Sequence, residues 1–362
     1  MIHTENLIVG LGIAGLNLCH QLEKAGKSFI VIDNCPTNSA SLIAAGIYNP
    51  IVLKRKVKSW KVDQLFPVLI DTYRELEEKL GDEYLLHDFP ILKPISSADE
   101  IKEWQQAVAE NRVAPFVNSI QETPPKGPFQ DKVIGSITIN NSGFLRIQKL
   151  VLTYRDYLKK KGLLIEKQFD YSSIDLTKNE VVYDDVSADR IIFSEGRFIS
   201  ENPYFNWIPY NPTKGQILTV KVNTPLDASK IYNQQFLFFP TEEKDVFRLG
   251  ATYSWNQTDE EPSEEATQEL LEKVKKAMDI DLEVIEAKAA IRPTVADRRP
   301  TIGLHPEEKN VFLFNGMGSK GVMLAPMFAK ELVDLIYDGK EVTPEVDLNR
   351  FAKRYKKSLI PS

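Results

Sequence analysis

The feature that most constrains the fold of this chain is a glycine-rich segment close to its first residue. An apolar run, Leu7-Ile8-Val9, leads directly into residues 10–15, which read GLGIAG. A helical pattern follows, and a second apolar run, Phe29–Ile32, ends at Asp33. Strand, tight turn, helix and strand in about thirty residues is the context in which a GxGxxG match predicts a dinucleotide-binding unit.

Each glycine of this segment has a mechanical reason to be there. Gly10 would make the tight turn, Gly12 would let the backbone approach a pyrophosphate, and Gly15 would let the helix and strand pack closely. Ile13 and Ala14 begin the helix, whose free N–H groups and positive dipole end favour phosphate. The alternative, an ordinary glycine-rich turn, would not need the second strand or the acidic residue after it.

Asp33 narrows the choice of nucleotide. It lies 23 positions after Gly10, at the end of the second predicted strand. A carboxylate there accepts hydrogen bonds from ribose hydroxyls and repels a 2′-phosphate, which favours FAD or NAD over NADP. The neighbouring Asn34 is expected to contact the same part of the nucleotide.

The rest of the chain does not continue with the βαβ units that an NAD dehydrogenase normally adds. A small-residue loop at 39–50 precedes a predicted helix over about 62–80, and strand patterns fill much of 202–287. A last glycine-rich region, 314–321, leads into a helix to about Tyr337. Cofactor-type segments at the start, middle and end predict a discontinuous domain, with the intervening blocks forming a second one.

Composition and charge exclude several classes of protein. The chain has 362 residues with 45 Lys and Arg against 51 Asp and Glu, a net charge of -6, which weighs against a dedicated nucleic-acid binder. Two cysteines, Cys19 and Cys35, cannot form a disulfide framework, and four scattered histidines show no zinc-ligand spacing, so no metal is expected. Neither a signal peptide nor an apolar run long enough to span a membrane is visible, so a cytoplasmic location is expected.

Several segments together resemble the D-amino-acid oxidase superfamily. They are the glycine-rich 10–15, the Ala-Ala-Gly loop at 44–46, residues 191–196, the segment 290–303 (AIRPTVADRRPTIG) and the segment 316–326. Within the superfamily, the likeness is to glycine oxidase and to the oxidase domain of the bifunctional tRNA wobble-uridine enzyme. The resemblance runs through nearly the whole chain in order, and 290–326 is its most specific part.

The resemblance implies an FAD-dependent oxidoreductase with noncovalent FAD. Such enzymes oxidise the C–N bond of a small amine or amino acid by passing a hydride from the carbon beside the amine to flavin N5. The imine is then hydrolysed by water, and oxygen or another acceptor takes the electrons. The implied fold class is α/β with an α+β second domain. A Rossmann-like FAD-binding domain (1–60, 140–200 and 288–362) interleaves with a smaller antiparallel-sheet substrate domain (61–139 and 201–287).

Two side chains are implied in catalysis and substrate binding. Arg292 matches the family arginine that pairs with a substrate carboxylate, a task suited to a planar guanidinium; the alternative is a structural salt bridge with Asp297 or a nearby Glu. Lys320 would stabilise negative charge on the reduced flavin or touch the substrate; the alternative is a solvated loop lysine. Glycine oxidase carries an arginine where this chain has Ser319, which weighs against free glycine as the substrate.

The remaining expected contacts concern cofactor and substrate. Tyr48, Tyr232 and Tyr253 are candidate aromatics of the substrate pocket, although core or surface positions are the alternative. The residues expected to contact FAD are Gly10, Gly12, Ile13, Ala14, Gly15, Asp33, Asn34, Ala44, Ala45, Gly46, Gly196, Gly316, Gly318, Ser319, Lys320 and Gly321.

Three other functions stay open on the sequence alone. The first is a stand-alone tRNA oxidase acting on a carboxymethylaminomethyl group, with the basic clusters at 54–56 and 159–161 as possible phosphate contacts. The second is a flavoprotein subunit that is non-catalytic or depends on a partner. The third is an NAD dehydrogenase.

Overall fold

The architecture comes from a computed structural model, which describes residues 1–177, 180–255 and 259–359. The predicted domain segments 140–200, 201–287 and 288–362 therefore each contain a few residues that lie outside the described ones.

The strands belong to a few sheets and are numbered in chain order. They are β1 (Ile2–Val9), β2 (Phe29–Ile32), β3 (Ile47–Tyr48), β4 (Ile51–Val52), β5 (Val57–Lys58), β6 (Leu86–Asp88), β7 (Ile91–Ile95), β8 (Val117–Gln121), β9 (Gly135–Ile139), β10 (Gly143–Leu145), β11 (Leu164–Ile165), β12 (Ile174–Leu176), β13 (Val181–Tyr183), β14 (Val186–Phe193), β15 (Thr213–Val222), β16 (Ile231–Asn233), β17 (Leu237–Pro240), β18 (Val246–Gly250), β19 (Ser254–Trp255), β20 (Leu282–Arg292), β21 (Thr301–Leu304) and β22 (Val311–Asn315).

The α-helices are numbered in the same way. They are α1 (Ile13–Lys24), α2 (Ala40–Ile43), α3 (Val62–Leu80), α4 (Ala98–Ala109), α5 (Ile147–Lys160), α6 (Glu264–Ala277), α7 (Gly321–Asp338) and α8 (Ala352–Ser358). Short 3₁₀ turns lie at Tyr171–Ser173, Gly196–Ser200 and Leu348–Phe351.

The first sheet is built around parallel strands. Its order is β11-β2-β1-β14-β13-β12, and β22 pairs in parallel with the second half of β14 and antiparallel with β21. The apolar runs of β1 and β2 are buried on both sides, as central strands covered by helices require. The predicted strand–turn–helix–strand unit is therefore confirmed, and so is the α/β fold class.

The second sheet is mostly antiparallel. Its order is β19-β15-β18-β17-β16-β7-β9-β8, with β20 paired along the other edge of β15. Side chains alternate across it: Leu218, Phe247 and Leu249 enter a core that α6 covers with Leu270. The opposite face of β15, β18 and β20 is turned towards the loops of the first sheet.

Helix α3 falls within the predicted substrate-domain segment 61–139. It packs against α7, which follows the last strand of the first sheet. The Tyr73 hydroxyl donates to the Val322 carbonyl over 2.9 Å. That carbonyl lacks its helical partner because Pro326, four residues on, has no N–H. The interleaved domain boundaries stay a prediction, and this contact favours moving α3 to the cofactor half.

Across the described ranges, every helix is too short or too polar to cross a membrane.

Candidate functional site

A groove between the two sheets is the candidate site, and it has two ends. The glycine-turn end, a cavity of about 130 Å³, is lined by residues 9–14, 32–36 and 194–198. The arginine end, of about 460 Å³, is lined by residues 43–47 and 317–323 and by Arg292. The two ends share part of their lining and so form one continuous groove; the shared residues are Ile13, Ala40, Ser41, Pro293 and Met317.

The glycine-rich turn forms one wall as its spacing predicts. Gly10, Gly12, Ile13 and Ala14 line the glycine-turn end. Gly15 lies behind them instead: a Cβ at this position would stand 2.0 Å from the Gly10 carbonyl oxygen. Only glycine therefore allows the helix to start so close to the strand.

Asp33 is held in place by three donors. Its Oδ2 accepts from the Leu11 N–H over 2.8 Å, and its Oδ1 accepts from the Cys35 N–H over 2.7 Å and from the buried guanidinium of Arg155. Asn34 lines the same end and donates to Gln168. Sequence reasoning missed Arg155, although it follows Val151 by four residues on the buried face of α5, where an arginine is unusual.

Glu195 is a second acidic group of this end, after Asp33, and sequence reasoning missed it. It lines the glycine-turn end beside Gly196, and its carboxylate accepts from the Tyr171 hydroxyl over 2.7 Å and from the Asn202 amide over 2.6 Å. Burial raises the pKa of Glu195 to about 7, because the charged form is cut off from water. Its charge therefore changes near neutral pH.

The Ala-Ala-Gly loop walls the arginine end. Ala44, Ala45 and Gly46 all line it. Gly46 has a φ of +71°, and a Cβ there would stand 2.0 Å from the Leu145 carbonyl oxygen, so the loop can turn here only with glycine.

The last glycine-rich segment forms the facing wall. Gly318, Ser319, Lys320 and Gly321 line the arginine end, and α7 begins at Gly321. Gly316 lies behind this wall rather than in it, where a Cβ would approach the Val295 side chain at 3.0 Å.

Arg292 projects into the arginine end without an acidic partner in the part of the chain that the structure describes. Its guanidinium donates to the backbone carbonyls of Lys214 and Thr252 over 3.3–3.4 Å. Asp297, the partner of the alternative interpretation, binds Arg350 over 2.8 Å instead. Burial lowers the pKa of Arg292, which records the cost of this charge away from water.

A glycine on the neighbouring strand makes room for the Arg292 guanidinium. Gly215 pairs with Ala290 in the sheet, and a Cβ at Gly215 would stand 2.1 Å from Arg292 Nη2. The sequence signal was an isolated glycine inside a strand pattern, which indicates a close approach of neighbouring groups.

Lys320 also faces the arginine end. Its Nζ lies 3.1 Å from the Ser59 hydroxyl, and burial together with the charge of Arg299 lowers its pKa. Lys320 is thus a lining residue of the cavity that also remains exposed to solvent.

The three tyrosines have different positions. The Tyr253 ring lies in the cavity wall with its centre 4.2 Å from the Arg292 guanidinium carbon.

Tyr48 is fully buried outside the cavity, because neighbouring side chains of a strand point to opposite faces and Ile47 takes the cavity side. Its hydroxyl donates to the His87 carbonyl over 2.9 Å. Tyr232 is likewise buried, and its hydroxyl donates to the Asp227 carbonyl. The structure therefore gives Tyr48 and Tyr232 packing positions in place of the predicted substrate contacts.

The residues of the groove fit an elongated dinucleotide. The glycine-turn end offers the start of α1, the Asp33 carboxylate and the Ser194 hydroxyl, which is buried without a partner among the described residues. The arginine end offers room for a planar ring between the Ala44–Gly46 loop and residues 318–321. Cys19 is buried in the core and Cys35 lines only the glycine-turn end, so neither thiol lies beside that ring space.

Comparisons with known proteins agree with this geometry. The model of the DAO family, described as FAD dependent oxidoreductase, matches residues 6–335. Glycine oxidase from Bacillus subtilis (strain 168) is 21% identical over 360 residues, covering 95% of each chain. The bifunctional tRNA 5-methylaminomethyl-2-thiouridine biosynthesis protein of Idiomarina loihiensis is 25% identical over 155 residues, which cover 40% of this chain and 25% of that protein.

The fold has a close match among solved structures. The crystal structure of glycine oxidase from Geobacillus kaustophilus superposes with a TM-score of 0.79 at 18% identity, covering 97% of this chain and 99% of that one. The family model spans most of the chain, and the site carries that family's glycine turn and acidic residue in place. The protein therefore belongs to the DAO family of FAD-dependent oxidoreductases, with FAD as its cofactor.

Proposed function

We propose that this protein oxidises the C–N bond of a small amine or amino acid whose amine stands beside a carboxylate. The observation that carries the proposal is Arg292: a partly buried guanidinium in the cavity wall whose hydrogen bonds, among the described residues, go only to backbone carbonyls. A partly buried cation without an acidic partner strongly favours binding of an anion that enters the cavity. FAD, when bound, supplies the acceptor for the hydride that leaves the carbon beside the amine.

The residues of the arginine end would orient such a substrate. Arg292 can bind a carboxylate through two parallel hydrogen bonds, and Gly215 leaves the space that the guanidinium needs. Tyr253 packs on the guanidinium and limits its rotation. Lys320 adds a positive charge at the start of α7, where negative charge on the reduced cofactor ring would be stabilised.

The relatives support the reaction class more than the substrate. Two of the proteins compared above are named glycine oxidase. Ser319 stands where the resemblance to glycine oxidase implies an arginine, so we propose a substrate other than free glycine. Oxygen as the electron acceptor and a cytoplasmic location are further parts of this proposal.

An anaerobic screen of flavin reduction tests the proposal. The purified protein is expected to be yellow, and its visible absorption is expected to bleach with one of glycine, sarcosine, D-amino acids, proline or modified nucleosides. Oxygen uptake by the isolated chain then separates an autonomous oxidase from a subunit that needs a partner. A flavin-loaded protein that no carboxylate-bearing amine bleaches would contradict the proposal.

A second candidate is the oxidation of an amine carried on RNA, as the name of the Idiomarina relative suggests. Cations stacked on aromatic rings extend from the cavity wall: Arg299 lies 4.2 Å from the centre of the Trp60 ring, and Arg298 lies 5.8 Å from that of Trp255. Neither guanidinium has a carboxylate partner in the described ranges. Such pairs suit phosphates and unstacked bases.

A charge reversal separates the two candidates. Arg298→Glu is expected to slow the oxidation of an RNA-borne carboxymethylaminomethyl group by about tenfold or more, since one phosphate contact becomes repulsive. Oxidation of a free amino acid should change little. Lys132→Glu, a reversal at an exposed lysine outside the groove and outside both basic clusters, is the matched control. Equal rates for Arg298→Glu and wild type on RNA, or unchanged wobble nucleosides in a deletion strain, would dispose of the RNA candidate.

A further inference from the structure

The inference concerns Arg248, which lies in β18 on the sheet face turned towards the cofactor loops. Its neighbours Phe247 and Leu249 enter the core on the opposite face, and Gly250, two residues on, lines the arginine end. The side chain of Arg248 is largely removed from water, and this burial lowers its pKa. Arg248 is thus a second cation close to the site, after Arg292, whose charge is desolvated by the fold.

The hydrogen bonds of Arg248 go to the loop that walls the cofactor groove. Its Nη2 donates to the Ile43 carbonyl over 2.6 Å, and its Nη1 reaches the Ala44 carbonyl at 3.5 Å. Ile43 ends α2, so these are carbonyls that the helix itself leaves without partners. In the described ranges the guanidinium forms no ion pair, and its Nε has no hydrogen-bond partner.

The wall that Arg248 holds has cavities on both sides. A third cavity of about 530 Å³, lined by Arg248 and by the stacked rings of His87 and Phe144, shares Ala44 and Ala45 with the arginine end. A segment between two cavities lacks packing on the sides that face them, although Ala44 and Ala45 also contact the apolar core. Hydrogen bonds at both ends add to that packing: those of Arg248 before the turn, and the Leu145 N–H to the Gly46 carbonyl after it, over 2.9 Å.

We propose that Arg248 is a positioning residue for the flavin: it holds Ala44–Gly46 in the place that the bound cofactor requires. The inference rests on the proposed function insofar as FAD occupies the groove. It predicts that loss of Arg248 weakens FAD binding beyond any loss of general stability, because the wall must be re-formed each time the cofactor binds.

The test compares Arg248→Met and Arg248→Lys with Arg190→Met. Arg190 is also half-buried and bonds mainly to uncharged oxygens, over 2.9 Å to the Tyr337 hydroxyl and 3.2 Å to the Asn6 amide, but it lies outside the groove. For each apoprotein, the FAD dissociation constant is measured by fluorescence titration and the melting temperature by circular dichroism. The visible spectrum of the holoprotein reports the surroundings of the flavin ring.

The proposal expects a separation between affinity and stability. Arg248→Met should raise the FAD dissociation constant by about tenfold or more, the size expected for lost hydrogen bonds to a charged group, and should shift the visible band. Arg248→Lys should recover part of both effects, and Arg190→Met should lower the melting temperature with the dissociation constant within about twofold of wild type. An Arg248→Met protein that melts earlier but binds FAD as tightly as wild type, with an unchanged spectrum, would overturn the positioning role. Failure of the wild-type apoprotein to take up FAD would instead contradict the cofactor on which the proposed function depends.

Discussion

The two ends of the groove differ in the partners that their charged side chains bind. At the glycine-turn end, Asp33 binds Arg155 and Glu260 binds Arg197 over 2.9 Å, while the Glu195 carboxylate bonds to the uncharged Tyr171 and Asn202. At the arginine end, Arg292 bonds to backbone carbonyls and Lys320 to a hydroxyl.

This difference indicates what each end is suited to bind. The ion pairs leave the glycine-turn end to recognise its ligand through backbone N–H groups, shape and the remaining acceptor capacity of Asp33, which suits a nucleotide of fixed structure. The partly buried Arg292, which has no acidic partner among the described residues, carries a desolvation cost that an anionic ligand offsets. The arginine end therefore selects for charge, and the following predictions test that contrast.

The largest expected effect comes from removing the unpaired guanidinium. Arg292→Met should lower kcat/KM for a carboxylate-bearing amine by about a hundredfold to a thousandfold, since truncating one member of a buried charge pair costs several kcal/mol. Flavin reduction under anaerobic conditions measures it. Arg292→Lys should fall between the two, and FAD affinity should stay near the wild-type value. Normal substrate affinity in Arg292→Met would remove the carboxylate anchor.

A smaller effect is expected from crowding the same guanidinium without removing it. Gly215→Ala places a methyl carbon 2.1 Å from Arg292 Nη2, so the guanidinium must move. KM should rise by about tenfold or more, since bidentate binding depends on orientation. The FAD dissociation constant serves as the internal control. An unchanged KM would show that substrate does not bind to Arg292 in this position.

The glycine-turn end should instead show a dependence on pH. Because the pKa of Glu195 is raised to about 7, its contribution to stability is present at acid pH and is lost as pH rises through about 7. The ionised carboxylate would also repel the cofactor pyrophosphate, so FAD should bind about threefold to tenfold more weakly at pH 8 than at pH 6. Glu195→Gln should abolish most of that ratio in a fluorescence titration. The same ratio in both proteins would assign the pH dependence to another group.

The smallest effect concerns the helix that carries Lys320 into the cavity. Tyr73→Phe removes the donor to the Val322 carbonyl and should lower the free energy of unfolding by about 1–2 kcal/mol. Denaturant unfolding monitored by circular dichroism measures this loss. Tyr84→Phe, at an exposed tyrosine, is the control. Equal stability of the two variants would show that the carbonyl finds another donor.

The sequence predicted best what is local in the chain. The glycine turn, Asp33 and the two strands around them lie within one short segment, and spacing alone carries their geometry. Arg292, Tyr253 and Lys320, far apart in sequence, were grouped through the resemblance to a family, and the structure brings them to one cavity.

What sequence reasoning missed depends on contacts across the fold. Gly215 matters because the Arg292 guanidinium fills the space that a side chain would take, and Arg248 because the sheet turns it towards a loop some two hundred residues earlier. Tyr48 was misplaced because β3 is two residues long, too short for alternation to show which side faces the cavity. Glu195 lies in the segment 191–196 that resembles the family, but only its burial makes its carboxyl unusual.

The interleaved sheets also bear on how the protein is synthesised. In the first sheet β1 pairs with β14, about 180 residues later, and β14 pairs with β22, more than 100 residues further on. The ribosome has therefore made most of the chain before this sheet can close, and contacts of such long range fold slowly. Until then, β1 can pair with β2 but the edge that will meet β14 stays open, and an open apolar strand edge favours aggregation of the nascent chain.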